Sequence, residues 1–199
     1  MCLYPKLILN KRYLPSKKNK GIVPTCKDER LRYVAVGCGI CYECRKQKAN
    51  QWKIRLYEEL KTNNNAVFVT LTFDKEHLNK YSNITDENEL ATKAVRQFLE
   101  RVRKKTKKSL KHFLITEKGH EGTERIHLHG IIWGDNVKDI CEEKWQNGYV
   151  YYGEYVNNQT INYIIKYILK PDNDHPDFLL FSLIFCSISC AVAIRYTYN

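Results

Sequence analysis

The segment RIHLHGIIW, residues 125–133, constrains the chain more than any other. It reads as a buried strand, yet it carries two histidines, which a strand core does not ordinarily accept. Side chains alternate faces along a strand, so Ile126, Leu128, Gly130 and Ile132 share one face. His127, His129, Ile131 and Trp133 share the other. Two imidazoles roughly 6–7 Å apart, twice the strand rise, are a ready pair of metal ligands. The competing reading is two hydrogen-bonded histidines at a sheet surface.

Upstream lies a second β-rich run, HFLITEKG, and the connection KGHEGTE carries Gly119 and Gly122, which suits a hairpin turn. If Glu117 pairs with His127, then Ile115 pairs with His129, and directly opposed residues share a face. Glu117, His127 and His129 then converge as one carboxylate and two nitrogens. A slip of one residue would send the glutamate to the opposite face, so parity is the useful part of this expectation.

QTINYIIKYILKP predicts a helix from an Asn157/Asn158 cap to a stop at Pro171. At about 100° per residue, Ile161, Ile164, Ile165, Ile168 and Leu169 form an apolar face. Tyr163, Lys166, Tyr167 and Lys170 fall on the opposite side. Two phenols one turn apart among ammonium groups suit nucleophilic attack on a phosphodiester. An interfacial tyrosine pair on an amphipathic helix is the alternative.

CGICYECRKQ places Cys38, Cys41 and Cys44 at C-x2-C-x2-C, with Cys26 and Cys2 upstream as candidates for a fourth ligand. Thiolates so spaced can grip one structural Zn²⁺, and Gly37 and Gly39 help the chain bend. An unmetallated cysteine loop and an iron–sulfur cluster remain open. No stretch at the start has the form of a secretory signal, so the eight cysteines suggest reduced thiols or a metal site over a disulfide framework.

A length of 199 residues suits one domain with a small appendage, and a net charge of +11 favours an anionic partner. Basic residues cluster near the start, after the cysteines (Arg45, Lys46, Lys48, Lys53, Arg55) and in RVRKKTKKSLKH (Arg101, Arg103, Lys104, Lys105). With 14 tyrosines and three tryptophans, these runs tilt the reading towards nucleic acid. Helical spacing of Ala49, Trp52, Leu56 and Leu60 predicts a helix after the cysteines. AVFVTLTF predicts a strand, and a further helix starts near an Asp86/Glu89 capping pair and runs through Leu90, Ala94, Val95, Phe98, Leu99 and Val102. GYVYYGEYV predicts one more strand. The class is α+β, built on an antiparallel sheet with flanking helices. The expected division is a basic cysteine-rich element and helix over 1–60, a core over 61–175, and an apolar tail over 176–199.

Together these motifs resemble the HUH endonucleases, the rolling-circle replication initiators. HLH in RIHLHGIIW matches histidine–apolar–histidine, VFVTLTF is similar to the strand before it, and YIIKYILK to the two-tyrosine helix. The resemblance is nearest to the initiators of small single-stranded-DNA phages, the microvirus and gokushovirus group, which also resemble this chain at VGCGICYECRKQKANQWKIRLYEE. It spans roughly residues 1–175. It implies a nucleotidyltransferase-like HUH domain in which His127, His129 and Glu117 hold Mg²⁺ or Mn²⁺. Tyr163 or Tyr167, aided by Lys166 and Lys170, would attack a phosphate, leaving a 5′-phosphotyrosine adduct and a free 3′-OH. The implied function is metal-dependent, site-specific nicking and joining of single-stranded DNA at a replication origin. The implied setting is the cytoplasm of a bacterial host, with its helicase and polymerase as partners.

The chain departs from the family near Asp177, where FLLFSLIFCSISCAVAI brings 17 uncharged residues. That run is at the short edge for a membrane span and suits a packed terminal element or a truncated or frameshifted end better. Rival readings are a non-catalytic zinc-knuckle DNA-binding protein, a relaxase or transposase of the HUH class, and a two-histidine, one-carboxylate iron oxygenase.

Overall fold

The computed structural model describes residues 2–118, 125–169 and 184–187. The chain divides into two compact units, residues 1–48 and 49–199.

In the first unit, β1 (Lys6–Leu9) and β2 (Tyr33–Val36) form an antiparallel ribbon that pairs Lys6 with Val36 and Leu9 with Tyr33. Single 3-10 turns at Lys11–Tyr13 and Glu29–Leu31 start on Asn10 and Asp28, whose side chains accept from the amides of Arg12 and Arg30. Helix α1 (Tyr42–Thr62) begins here and continues into the second unit. Among the described residues of the first unit, only Cys38 and Cys44 are buried.

The second unit is built on five strands. In chain order they and their helices are β3 (Ala66–Leu71), α2 (Lys75–Asn79), α3 (Glu87–Thr106), β4 (Lys111–Lys118), β5 (Ile126–Trp133), α4 (Val137–Trp145), β6 (Val150–Tyr152), α5 (Asn158–Leu169) and β7 (Ile184–Cys186). The sheet order is β6-β3-β5-β4-β7, and every neighbouring pair is antiparallel. The expected α+β class on an antiparallel sheet is what forms.

The strand parity expected for residues 126–133 sorts the core. Leu128 and Ile132 join Val69, Leu71 and Leu114 on one face, covered by Val95 and Phe98 of α3 and Trp145 of α4. Ile131 and Trp133 join Phe113 and Ile115 on the other, covered by Ile161, Ile164 and Ile168 of α5 and Leu56 of α1. The second core closes only over part of its face, and His127 and His129 lie beyond that part. Gly130 has a packing reason: a Cβ there would sit 2.1 Å from the Phe113 carbonyl oxygen on β4. Only a hydrogen fits beside the second histidine.

Asp86 caps α3 as expected, accepting from the amide of Asn88. The first turns of α5 are held by Asn157, whose side chain accepts from the amides of Gln159 and Thr160. Three features went unread in the sequence: the β1–β2 ribbon, α2 and α4. Helix α4 starts at Asn136 in the left-handed region without a side-chain cap, so its start carried no signal. Its apolar residues, Val137, Ile140, Cys141 and Trp145, are buried over only nine positions.

The tail is one strand in part. Ile184–Cys186 extends the sheet by pairing with Ile115, Leu114 and Phe113 of β4. The rest of the apolar run lies outside the described residues, as do the Gly119/Gly122 turn, Lys170 and Pro171. Among the described residues no helix is long and apolar enough to cross a membrane.

Candidate functional site

The register of β4 against β5 places Glu117 opposite His127 and Ile115 opposite His129, as the hairpin reading expected. Glu117 Oε2 lies 2.9 Å from His129 Nε2 and 3.5 Å from His127 Nε2. Each imidazole is held from behind. The Arg125 carbonyl, 3.0 Å from His127 Nδ1, can only accept, so that nitrogen carries the proton and Nε2 keeps its lone pair for the cluster. Thr70 Oγ1 on β3 sits 2.9 Å from His129 Nδ1. Outer hydrogen bonds of this kind orient histidine ligands towards a metal.

These three residues fit a hard divalent ion. Adjacent ligands on an octahedron with arms of about 2.1 Å stand about 3 Å apart, close to the two carboxylate–imidazole distances. One oxygen and two nitrogens leave positions free for water and phosphate oxygens. Mg²⁺ or Mn²⁺ is therefore compatible with the donor set and its spacing.

Helix α5 brings both phenols to the same place. The Tyr163 and Tyr167 rings are 5.4 Å apart, and the Tyr167 hydroxyl donates to Tyr163 Oη at 2.5 Å. The Tyr163 ring lies 6.2 Å from the His129 ring and 6.1 Å from that of Phe68. Lys166 Nζ stands 5.2 Å from the Tyr163 ring centroid.

The wheel expectation that both phenols point away from the isoleucines is corrected for Tyr167. Tyr163 is 41% exposed, whereas Tyr167 is 9% exposed and packs in the core cluster that holds Ile161, Ile164 and Ile168. Tyr167 stands three residues after Ile164 and one before Ile168, on the border of the apolar stripe. Docking the helix on the sheet closes over that border. Burial, then the bond to Tyr163, then the nearby Glu117 carboxylate push the Tyr167 phenol well above the usual tyrosine range. Thr70 and Phe68 were not singled out in the sequence; lying on the strand paired with β5, they carried no signal without the register.

The second cluster belongs to the first unit. Ligand atoms of Cys2, Cys38, Cys41 and Cys44 all lie within 4.8 Å of one another. The Cys38 and Cys44 sulfurs are 4.0 Å apart, and those of Cys41 and Cys2 3.8 Å. A tetrahedron with metal–sulfur arms of about 2.3 Å has edges of about 3.8 Å, so the four thiols fit Zn²⁺. All are free thiols. The amides of Cys38 and Cys41 donate to the sulfurs of Cys2 and Cys38 at 3.2 and 3.3 Å. Gly37 allows the fold-over, since a Cβ there would lie 2.8 Å from Cys44 Sγ. The amide of Cys44 is the main cause that lowers the Cys41 thiol to about 6. Cys26 stays outside the cluster, its thiol 3.0 Å from the Asp28 carbonyl.

The basic candidates are distributed unevenly. Arg101 donates to the carbonyls of Lys144 and Trp145 at the end of α4, both at 2.8 Å. Lys104 pairs with Glu100 at 2.9 Å and Lys105 pairs with Glu143, while Arg103 is exposed. Lys53 and Arg55 lie over the rings of Tyr57 and Trp52 at 5.5 and 4.8 Å. Lys46 is exposed, 5.9 Å from the Tyr42 ring, and Arg45 and Lys48 are half-buried.

Residues 66–172 match the model of a family described as Replication-associated protein ORF2. That span encloses the histidines, the glutamate and both tyrosines, and leaves the cysteine cluster outside. The chain is also 25% identical over 169 residues to Replication-associated protein VP4 of Bdellovibrio phage phiMH2K, across 74% of this chain and 53% of that protein. The chain spans about half the length of that curated relative. No solved structure matches it.

Proposed function

The chain belongs to the ORF2 family of replication-associated proteins, and from that premise we propose that it is a rolling-circle replication initiator of the HUH endonuclease type. It nicks single-stranded DNA at an origin, and later rejoins it, through a covalent 5′-phosphotyrosine. The observation that carries this reading is the convergence of one carboxylate, two imidazoles and two phenols at one place on the sheet.

Glu117, His127 and His129 would hold Mg²⁺ or Mn²⁺, which supplies Lewis-acid polarisation of the scissile phosphate. Tyr163 is the first nucleophile, because it is the phenol that DNA can reach. Its oxygen forms a bond to phosphorus as the bond to the 3′ oxygen breaks. The phenol proton passes to solvent, and the departing 3′ oxygen takes up a proton to become the free hydroxyl. Lys166, beside the Tyr163 ring, offsets negative charge on the phosphate. Tyr167 keeps its own proton through burial, orients Tyr163 Oη, and serves as the second nucleophile when the regenerated origin is cut. The adduct conserves the phosphodiester energy, so the second cut can close the first strand.

The four cysteines of the first unit hold Zn²⁺ as a structural ion, and the origin strand and the host helicase and polymerase are the partners, in the cytoplasm of a bacterial host. The test is incubation with single-stranded DNA carrying the cognate origin and Mn²⁺, read on a denaturing gel for a protein–DNA adduct. A Mn²⁺-dependent adduct that is absent in His129→Ala supports the reading. Tight binding without an adduct under any divalent metal would instead favour a non-catalytic DNA-binding protein.

A further inference from the structure

The positive charge of the chain does not sit on the unit that carries the tyrosines. Residues 1–48 hold twelve Lys or Arg against three Asp or Glu, a net +9 of the chain's +11. The remaining residues hold 21 against 19, a net +2. On α3, much of the basic run is already engaged by carbonyls or carboxylates of its own unit.

The first unit also lacks an apolar core. Both faces of its ribbon are open, with Leu7, Ile8, Tyr33 and Val34 all exposed, and its described buried residues are two cysteines. An isolated two-stranded ribbon is marginal in water, so the unit needs another source of order. The thiol cluster is placed to supply it. Cys2 precedes β1 and Cys38 follows β2, at the end of the ribbon where Lys6 pairs with Val36, so a metal there clamps the two chain ends together.

Between the strands, the turn at residues 16–21 is a preformed lysine display. Asn19 Oδ1 accepts from the amides of Ser16 and Gly21, and its amide group donates to the Leu14 carbonyl at 2.9 Å. Lys17, Lys18 and Lys20 are exposed around it, and none of these loop bonds uses a lysine side chain. Exposed Tyr4, Tyr33 and Tyr42 on the same unit offer stacking faces. Cationic side chains interspersed with exposed aromatic rings suit a single strand, whose phosphates and unpaired bases are both accessible.

We propose that residues 1–48 form a metal-clamped module that supplies most of the affinity for single-stranded DNA, leaving the second unit to cut what this module holds. The metal clamp rests on the zinc reading above, and the charge argument does not. Binding is therefore measured on the full chain with its cysteines intact and with Mg²⁺ and Mn²⁺ omitted, so that nicking does not enter.

The probe is a labelled single-stranded oligonucleotide, titrated by anisotropy over a range of KCl. One variant carries Lys17→Gln, Lys18→Gln and Lys20→Gln; the comparison carries Lys80→Gln, Lys107→Gln and Lys108→Gln, equally exposed lysines of the second unit. Three lost phosphate contacts, each contributing a slope of about 0.7, should make log affinity against log salt shallower by about 2, roughly 100-fold weaker near 0.1 M. The comparison triple should stay within about threefold of wild type. Equal losses in the two triples, or a larger loss in the second, would overturn the assignment. So would loss of binding to phosphatidylserine vesicles in the first triple with oligonucleotide affinity unchanged, since the unit would then be a membrane module. Native mass spectrometry of both triples reads the metal separately: wild type without metal removes the clamp and leaves the charge result standing.

Discussion

The ring of Tyr167 stacks on the ring of His129, with centroids 5.1 Å apart and planes within 5° of parallel. The same phenol donates to Tyr163 Oη. One buried side chain therefore braces a metal-ligand candidate and aims the exposed tyrosine. This makes the two phenols unequal, although four residues of helix separate two apparently equivalent positions.

That inequality sets the first prediction. Tyr163→Phe should form no initial adduct on a single-stranded origin oligonucleotide. Tyr167→Phe should still form it, about 10-fold more slowly, the cost of one lost hydrogen bond of about 1.4 kcal/mol. The double variant should form none. Single-turnover kinetics with a gel readout decides the matter, and the opposite ranking would reverse the order of attack.

The second prediction concerns the carboxylate and imidazoles. His127→Ala, His129→Ala and Glu117→Gln should each abolish nicking and leave DNA affinity within about threefold of wild type, because phosphate contacts dominate affinity. Thr70→Val removes the partner of His129 Nδ1. It should raise the Mn²⁺ concentration for half-maximal nicking by about 10–100-fold, the usual range for an outer hydrogen bond. An unchanged Mn²⁺ requirement would separate Thr70 from the site.

Much of this was legible from periodicity. Period-two alternation fixed which face of β5 carries the histidines, and the parity of a hairpin brought Glu117 to them. The helical wheel found α5 and its isoleucines. It failed at Tyr167, because a wheel gives direction around one axis and not how far a neighbouring sheet closes over the flank. Thr70 and Phe68 were invisible for a related reason: their relevance depends on the β3–β5 register across a long connection. The ribbon of the first unit lacks an apolar face altogether, so the patterns that reveal strands through burial had nothing to act on.

A third prediction is a pH dependence of stability. Burial lowers the pKa of His112 below its ordinary 6.5, while its ring nitrogen stays 2.8 Å from the Leu110 carbonyl. Below pH 6.5 the unfolded chain binds a proton that the folded chain refuses, so stability rises with pH through this window. The contribution is complete above pH 6.5 and declines as the pH falls towards the lowered folded value. Thermal unfolding of wild type against His112→Gln should show a steeper acid loss for wild type. Parallel curves between pH 5 and 7 would remove His112 from that role.

A fourth prediction tests the close approach at Gly130. A Cβ there collides with the Phe113 carbonyl and with Leu114, both on the neighbouring strand, and backbone cannot rotate away as a side chain can. Gly130→Ala should therefore cost about 3 kcal/mol, the upper end for overpacking, read as a fall in the denaturant midpoint. A loss below about 0.5 kcal/mol would mean that β4 yields readily there.

The fifth prediction separates two cysteines that the sequence left as equal candidates. Cys2 sits among the sulfurs of Cys38, Cys41 and Cys44, whereas the Cys26 thiol turns to the Asp28 carbonyl. Cys2→Ser should lose the bound metal in native mass spectrometry and expose the first unit to proteolysis, while Cys26→Ser should keep both. The pH dependence has a defined sign. In the metal-free cluster the Cys44 amide lowers the Cys41 thiol to about 6 from 9.0. The stability this confers is complete above pH 9 and lost as pH falls through about 6. Metal binding needs the same thiolates, so metal should be released on acidification over the lower part of that range. A wild-type chain that carries no metal at pH 8, or one in which Cys26→Ser loses it and Cys2→Ser does not, would sink the four-sulfur assignment.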